Sequence, residues 1–435
     1  MTLQRENGSI IKTLFSLWVL CFFTGMIFHF RAVSSISTGL LLITGLACYK
    51  KKAVSLLFRS SLSPFLISCL LYFLYTVINL LLKGNTTVMR SQLEMKSALV
   101  LVPVAVSFTG FVGSKQLKRL MQFFVLLLLA ACLYCLLMDV YTWIHTGQET
   151  IFFYHDLVSP LKQHAVFFSF LLFFPLVYIL EYGTGFNFLP GKKLDGILTV
   201  FFSLILVLLA SKLILFCWFV YLVYYFLKNK TGKKKLGWLL LLLVPLLLIA
   251  LTKNPVSNRF REIVQTDWAS LDREQFDEAD YLNGLQFRYL QWKLVPTILS
   301  EKQAWLTGLG EEKGKAGLQD QFIQRHLYQG QPGTDDLGYL AYNTHNQLLQ
   351  SMLTGGLVAV LLFLMICGSL LYLAVKEKKT LITMTVISLL LFSGTESCFE
   401  TQYGLVFFSF LPVFALILSK HLSSRTTTEP LPAIQ

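Results

Sequence analysis

His345 closes the run Tyr342-Asn343-Thr344-His345-Asn346-Gln347, at the end of a polar stretch and directly before the apolar run 348–374. A neutral imidazole is the usual side chain for taking a proton from a hydroxyl at neutral pH. The alternative is an interfacial residue that, with Thr344 and Asn346, caps the helix that follows. The same polar stretch carries Arg259, Arg261, Arg273, Arg288 and Arg325. A guanidinium grips phosphate oxygens in a two-pronged fashion and keeps its charge at low dielectric. Any one of these arginines could instead be solvated or paired with a neighbouring acid. Arg288 stands apart because it shares an amphipathic segment with Tyr289 and Trp292.

Further candidates lie outside that stretch. Lys212 is flanked by Leu208-Leu209-Ala210 and Leu213-Ile214-Leu215. A charge within apolar runs is by default a functional candidate, and the alternative is a lysine that snorkels to the boundary. His164 follows Pro160-Leu161-Lys162-Gln163, and Glu396 and Glu400 lie near the last apolar run. Acids beside a basic phosphate site serve to position its arginines. The group Asp272, Glu274, Asp277, Glu278 and Asp280 has the composition of a divalent-cation site, but a solvated helix face is the better account of it.

These residues must be held by membrane helices. The 435-residue chain is 55% hydrophobic and 14% charged, well below the charge content of soluble domains. A spanning helix needs about 20 mostly apolar residues. That length predicts an all-α membrane protein of about twelve transmembrane helices, at 11–30, 32–49, 62–82, 97–113, 119–138, 163–181, 194–210, 213–227, 236–252, 347–374, 380–396 and 403–420. Residues 1–252 then hold spans one to nine, 253–346 form one large, partly helical outer loop, 347–422 hold the last three spans, and 423–435 are a disordered tail. The start of the chain reads as a span without a cleavable signal.

The net charge of +13 excludes little by itself, but its placement is informative. Lys50-Lys51-Lys52, Lys115, Lys118, Lys192-Lys193, Lys228, Lys233-Lys234-Lys235, Lys376, Lys378-Lys379 and Lys420 all fall on one side of the twelve-span arrangement. Basic loops stay cytoplasmic, so both termini are expected inside and the long loop outside. The charge orients the protein and does not bind nucleic acid. The run 194–227 is too long for one helix, which predicts two short spans joined by a tight turn at Ser211-Lys212. The eight cysteines have neither metal-ligand nor disulfide spacing and read as packing residues.

Within the long loop, Asp272–Asp280 reads as a surface helix. Asn283 reads as the cap of a helix to about Ser300, with Pro296 a possible kink, and 318–328 as a shorter helix. Residues 331–336 read as a turn. Lys83–Lys96 and Asp139–Gln163 are further outer loops.

The assembled pattern resembles the O-antigen ligase and O-antigen polymerase superfamily of bacterial integral-membrane glycosyltransferases. The resemblance rests on Ser211-Lys212 at a span boundary, Asn258-Arg259-Phe260, Arg288-Tyr289-Leu290-Gln291-Trp292, Thr307-Gly308-Leu309-Gly310, and the His345 run with Gly355-Gly356 behind it. It implies an inner-membrane protein of the GT-C type with its active site on the periplasmic side. It further implies metal-independent, inverting transfer of a glycan from undecaprenyl diphosphate, with no cofactor, to lipid A core or a related acceptor. By the same resemblance His345 is the base or acceptor-orienting group, and Arg288 is the diphosphate ligand. Lys212 stands where the family has a second arginine, so it would meet phosphate as a point charge rather than a fork. Arg259 and Arg261 are further donor-binding candidates; Tyr342, Asn343, Asn346, His164 and Glu396 are supporting ones. Chain polymerisation and transfer to protein hydroxyls are alternatives within the superfamily. A lipid-linked glycan flippase is the alternative outside it, and would favour two related halves and midplane polar residues.

Overall fold

The computed structural model describes residues 2–84, 86–186, 191–228, 255–264, 266–268, 271, 273–277, 280, 282–331, 333, 334 and 336–423. It is all-helical, with no strand among the described residues. The helices are α1 (Thr2–Ile27), α2 (Arg31–Arg59), α3 (Ser63–Lys83), α4 (Thr86–Ser107), α5 (Ser114–Thr146), α6 (Tyr154–Leu157), α7 (Ala165–Tyr182), α8 (Gly191–Leu208) and α9 (Lys212–Lys228). The polar stretch contributes α10 (Pro255–Val264), α11 (Gly284–Glu301) and α12 (Glu311–Gln324). Three apolar helices end the chain: α13 (Gln347–Glu377), α14 (Thr380–Ser393) and α15 (Gln402–Ser423).

Seven of the described helices are long and apolar enough to cross a membrane, and Arg31–Ala47 and Thr380–Ser393 are shorter apolar helices. Helices overlie eleven of the twelve expected segments. The twelfth, 236–252, and the tail from 424 lie outside the described residues.

Two cores organise the molecule. The larger one runs through the apolar bundle and is rich in phenylalanine, with Phe23, Phe124, Phe410 and Phe414 in edge or stacked contacts 5.0–5.8 Å apart. Such pairs add about 0.5–1.5 kcal/mol beyond area burial. The smaller core belongs to the polar stretch, where Phe287, Leu290, Leu294, Ile298, Leu318 and Phe322 pack together and onto Met352, Leu353 and Val360 of α13. The long stretch is therefore a folded unit seated on a helix rather than a solvated tether.

Its seat is a break in α13. Gly356 has φ +65° and ψ −162°, which interrupts the helical ladder. The backbone groups this frees are taken up by Trp305–Gly310: Leu309 N–H donates to Leu353 O (2.9 Å), Gly310 N–H to Thr354 O (2.8 Å), and Leu357 N–H to Trp305 O (2.9 Å). Buried backbone groups require such partners. α3 reinforces the seat: Asn79 Nδ2 donates to Thr307 O (3.0 Å), Lys83 Nζ to Gly308 O (2.8 Å), and Tyr75 Oη to Gly355 O (2.7 Å). A Cβ on Gly308 (φ +66°) would lie 2.5 Å from the Gly355 nitrogen. Gly308→Ala should therefore cost about 2–4 kcal/mol by adding backbone strain to overpacking. A thermal midpoint in detergent equal to that of the parent protein would show that the seat yields at little cost.

Several local expectations are corrected. Asp272–Asp280 is not a helix in its described residues. There Phe276 N–H pairs with Arg325 O (2.9 Å), and Asp280 binds the Asp277 N–H (3.0 Å), so side chains and a distant carbonyl take the helical partners. α12 begins at Glu311, seven residues before the expected start. Gly314 and Gly317 are kept helical because Leu353 and Ile298 press against them. Lys83–Lys96 is mostly helix: α4 begins at Thr86, and Lys96, at the edge of the apolar run, is 3% exposed and ion-paired. In the expected 139–163 loop, α5 continues to Thr146 and Tyr154–Leu157 is helical. α11 is continuous through Pro296, and Asn283 caps it in a reciprocal box with Gln286.

Candidate active site

α11, the start of α13 and the turn after α14 converge on one carboxylate. Glu396 Oε1 accepts from Arg288 Nη2 at 2.7 Å, and its Oε2 faces His345 Nδ1 at 3.0 Å. Glu396 is 13% exposed, His345 20% and Arg288 29%, so the trio is half-buried but reachable. Burial pushes the Glu396 carboxyl up, yet the His345 hydrogen bond and the charges of His345, Arg288 and His164 hold it below the ordinary glutamate value of 4.5. A lowered value means these partners stabilise the fold above pH 4.5 and lose that effect as pH falls through it. Since Glu396 is ionised at neutral pH, His345 Nδ1 donates to it, and the lone pair is left on Nε2.

The backbone around His345 is held from several directions. Its φ is +45°, a left-handed conformation that histidine adopts more readily than most residues. Asn343 Oδ1 accepts the His345 N–H (3.0 Å), while Gln291 Nε2 donates to Asn343 O and Trp292 Nε1 to Thr344 O (3.1 Å). Thr344 is fully buried and bonds Gln350 and Ser397 through Oγ1. Asn346 caps α13, accepting from Leu348 N (3.0 Å) and Leu349 N (3.2 Å), and donates to Gly394 O. The capping role belongs to Asn346, which leaves the His345 side chain for Glu396. Tyr342 is 46% exposed, with its ring 5.5 Å from that of His345 and 5.4 Å from Phe287.

Among the arginines the structure separates one from the rest. Among the described arginines Arg288 is the one paired with Glu396, through Nη2; its Nε is buried with no partner among the described residues, as is the Nε of Arg325. Arg325 Nη1 donates to the Arg273 and Glu274 carbonyls at 3.4 and 3.5 Å, and Arg273 faces Asp280 at 3.7 Å, so both hold the local chain. Arg261 is exposed on α10, and no hydrogen bond or ion pair among the described residues joins it to Glu396. The Arg259 side chain lies outside the described residues. So do Asp272 and Glu278 of the acidic group, and the described residues contain no cluster of three or more metal-ligating side chains.

His164 caps α7 through Nδ1, which accepts from Val166 N (3.4 Å), and its ring lies 4.2 Å from that of His155. Its charge acts on Glu396, which places it beside the trio. Lys212 follows the expected tight turn, where Ala210 has φ +49° and Ser211 is buried. α9 runs from Lys212 to Lys228, whose Nζ donates to Thr380 Oγ1 (3.2 Å) at the start of α14. The two helices pack against each other and are antiparallel, so Lys212 is at the end of the bundle where α14 delivers Glu396.

Residues 197–364 match the family model described as O-antigen ligase. The match, over less than half of the chain, makes that segment similar to the O-antigen ligase family. Proteins of this family are glycosyltransferase-like ligases and polymerases with lipid-linked glycans and acceptors as partners. The matched O-antigen ligase segment holds Lys212, Arg288, the Trp305–Gly310 seat, His345 and the Gly356 break. His164, Glu396 and Glu400 lie beyond its ends. No curated protein matches the chain.

A second buried ionic group went unrecognised in sequence. Lys96 of α4 is paired with Glu311 of α12 and lies 3.2 Å from Glu400, all three side chains being at most 12% exposed. It ties the bundle to the polar stretch and to the turn that bears Glu396. Glu400 was named as a candidate without its partner, and Lys96 stands in a polar segment at the edge of an apolar run. Glu311, in the polar stretch, gave no sign.

Proposed function

We propose that the protein is a ligase-type glycosyltransferase that moves a glycan from undecaprenyl diphosphate to the hydroxyl of lipid A core or a related surface acceptor. The observation that carries this reading is Glu396 bridging Arg288 and His345. The acceptor hydroxyl attacks the anomeric carbon and the bond to the diphosphate breaks on the opposite face, inverting the centre. His345 Nε2 takes the hydroxyl proton, and Glu396 orients the ring and stabilises its charged form. Arg288, anchored through Nη2, offers its remaining N–H groups to the diphosphate as charge builds on the leaving oxygen. Acid–base and electrostatic assistance of this kind needs no metal and no cofactor.

Twelve spans with both termini in the cytoplasm and the polar stretch in the periplasm suit this chemistry, because the donor then arrives already activated and membrane-held. The charge distribution supports that orientation. Lys228 approaches Glu181 (3.8 Å) and Lys420 pairs with Glu377 (3.0 Å) at the far end of α13 and α14 from Glu396. Basic residues thus gather at the end away from the trio.

A deletion strain tests the activity. Long glycan chains stranded on the lipid carrier would indicate a ligase, and single repeat units attached to core a polymerase. Unchanged surface glycan would remove both. For Lys212, arginine should preserve transfer and alanine should lower it at least about tenfold, since only the first keeps a cation for phosphate. Equal glycan in both strains would make Lys212 a snorkelling residue.

A further inference from the structure

A large cleft lies on another side of the same turn. A cleft of about 400 Å³ opens between α2, α4 and the start of α15, and its wall includes Glu400. Each of these helices begins at the polar end of the cleft. On α2 the wall starts at Arg31, Ser34 and Ser35; on α4 it runs from Ser91 and Glu94; on α15 it starts at Gln402 and Tyr403. Further along, the lining becomes apolar, with Leu101 and Val102 on α4 and Val406 on α15. The cleft is therefore amphipathic along one direction, as a molecule with a polar head and an alkyl chain requires.

Its polar end contains a buried group waiting for a partner. Tyr403 is 8% exposed, and its Oη is buried with no hydrogen bond to any described residue. An unmet phenol costs about 1–3 kcal/mol, and a ligand oxygen in the cleft would remove that cost. Gln402 Nε2 donates to Ser35 Oγ at 2.9 Å, closing the cleft from α15 to α2. Charge argues against a phosphate: among the described lining residues Arg31 is the only cation, beside the carboxylates of Glu94 and of Glu400, the latter paired with Lys96. Hydroxyls, an amide, a guanidinium and carboxylates together are donors and acceptors suited to neutral sugar hydroxyls.

We propose that this cleft binds the neutral saccharide head of a membrane glycolipid, the acceptor of the transfer reaction, with its alkyl chain against Leu101, Val102 and Val406. This rests on the glycosyltransferase reading of the Glu396 trio. The connection is short: Gln402 comes six positions after Glu396, which limits the gap to about 20 Å. Donor and acceptor would thus approach one turn from different sides.

The test is a binding measurement independent of transfer. The full chain in nanodiscs is irradiated with an alkyl maltoside bearing a diazirine in its chain, alongside the matched diazirine alcohol without the sugar. Labelled residues are mapped by mass spectrometry. The expected result is sugar-dependent labelling of α4 and α15 around Leu101 and Val406, reduced about tenfold by Ser35→Trp, which fills the exposed rim. Tyr403→Phe, which removes no existing bond, should lower it several-fold. His345→Ala should leave it unchanged. Equal labelling by the alcohol, labelling scattered over the bundle, or insensitivity to both cleft variants would overturn the proposal. If instead the deletion strain keeps unchanged surface glycan while the labelling pattern holds, the glycosyltransferase reading fails and the saccharide cleft stands.

Discussion

His345→Ala abolishes surface glycan transfer while the protein remains in the membrane at its normal level. The expected loss is about 10²–10⁴-fold, the range for removing a positioned general base. Protein level should hold because the backbone around this position is held without the imidazole and Glu396 keeps its ion pair with Arg288. Asn346 caps α13, Gln291 and Trp292 hold the preceding carbonyls, and Thr344 fills the buried site. Alanine at φ +45° adds about 1 kcal/mol of backbone strain, too little to unfold the bundle. Surface glycan analysed by gel, beside an immunoblot of membranes, reads both quantities. Normal glycan at normal level would take His345 out of the mechanism.

Glu396→Gln is the second large effect. Glutamine keeps the shape but not the charge, so it can present its NH₂ group to His345 or Arg288. His345 then loses the acceptor that fixes its proton on Nδ1, and Arg288 loses an ion pair at 2.7 Å. Transfer should fall about 10²–10⁴-fold, as when the carboxylate orienting a catalytic histidine is replaced by its amide. Glu396→Asp retains the charge but shortens the reach and should restore part of the activity. The pair separates positioning from simple stability: if both variants melt like the parent protein and Gln transfers as well as Asp, the carboxylate has no role in the reaction.

The helices were legible because apolar length is a local property. Asn283 with Gln286 announced the start of α11, and Ser211-Lys212 announced a turn. His345 and Arg288 were visible as residue types in a suggestive setting. Glu396 was much less so, since nothing in its own neighbourhood says which cation it faces. Its partners come from positions 108 and 51 residues away in the chain. Misreadings had the same origin: Asp272–Asp280 has helical composition but finds its hydrogen bonds at Arg325, and the glycines of α12 look like breaks until Leu353 and Ile298 are packed against them.

Composition and spacing alone determined that this chain is a bundle of apolar helices carrying one long polar insertion, because hydrophobic length depends only on neighbouring residues. Tertiary structure decided that Gly308 and Gly356 form a seat for that insertion, that Arg288 among the described arginines meets Glu396, and that Lys96 is buried between two acids. Pairings of this kind depend on which helix ends the packing brings together, and a one-dimensional pattern does not contain that information.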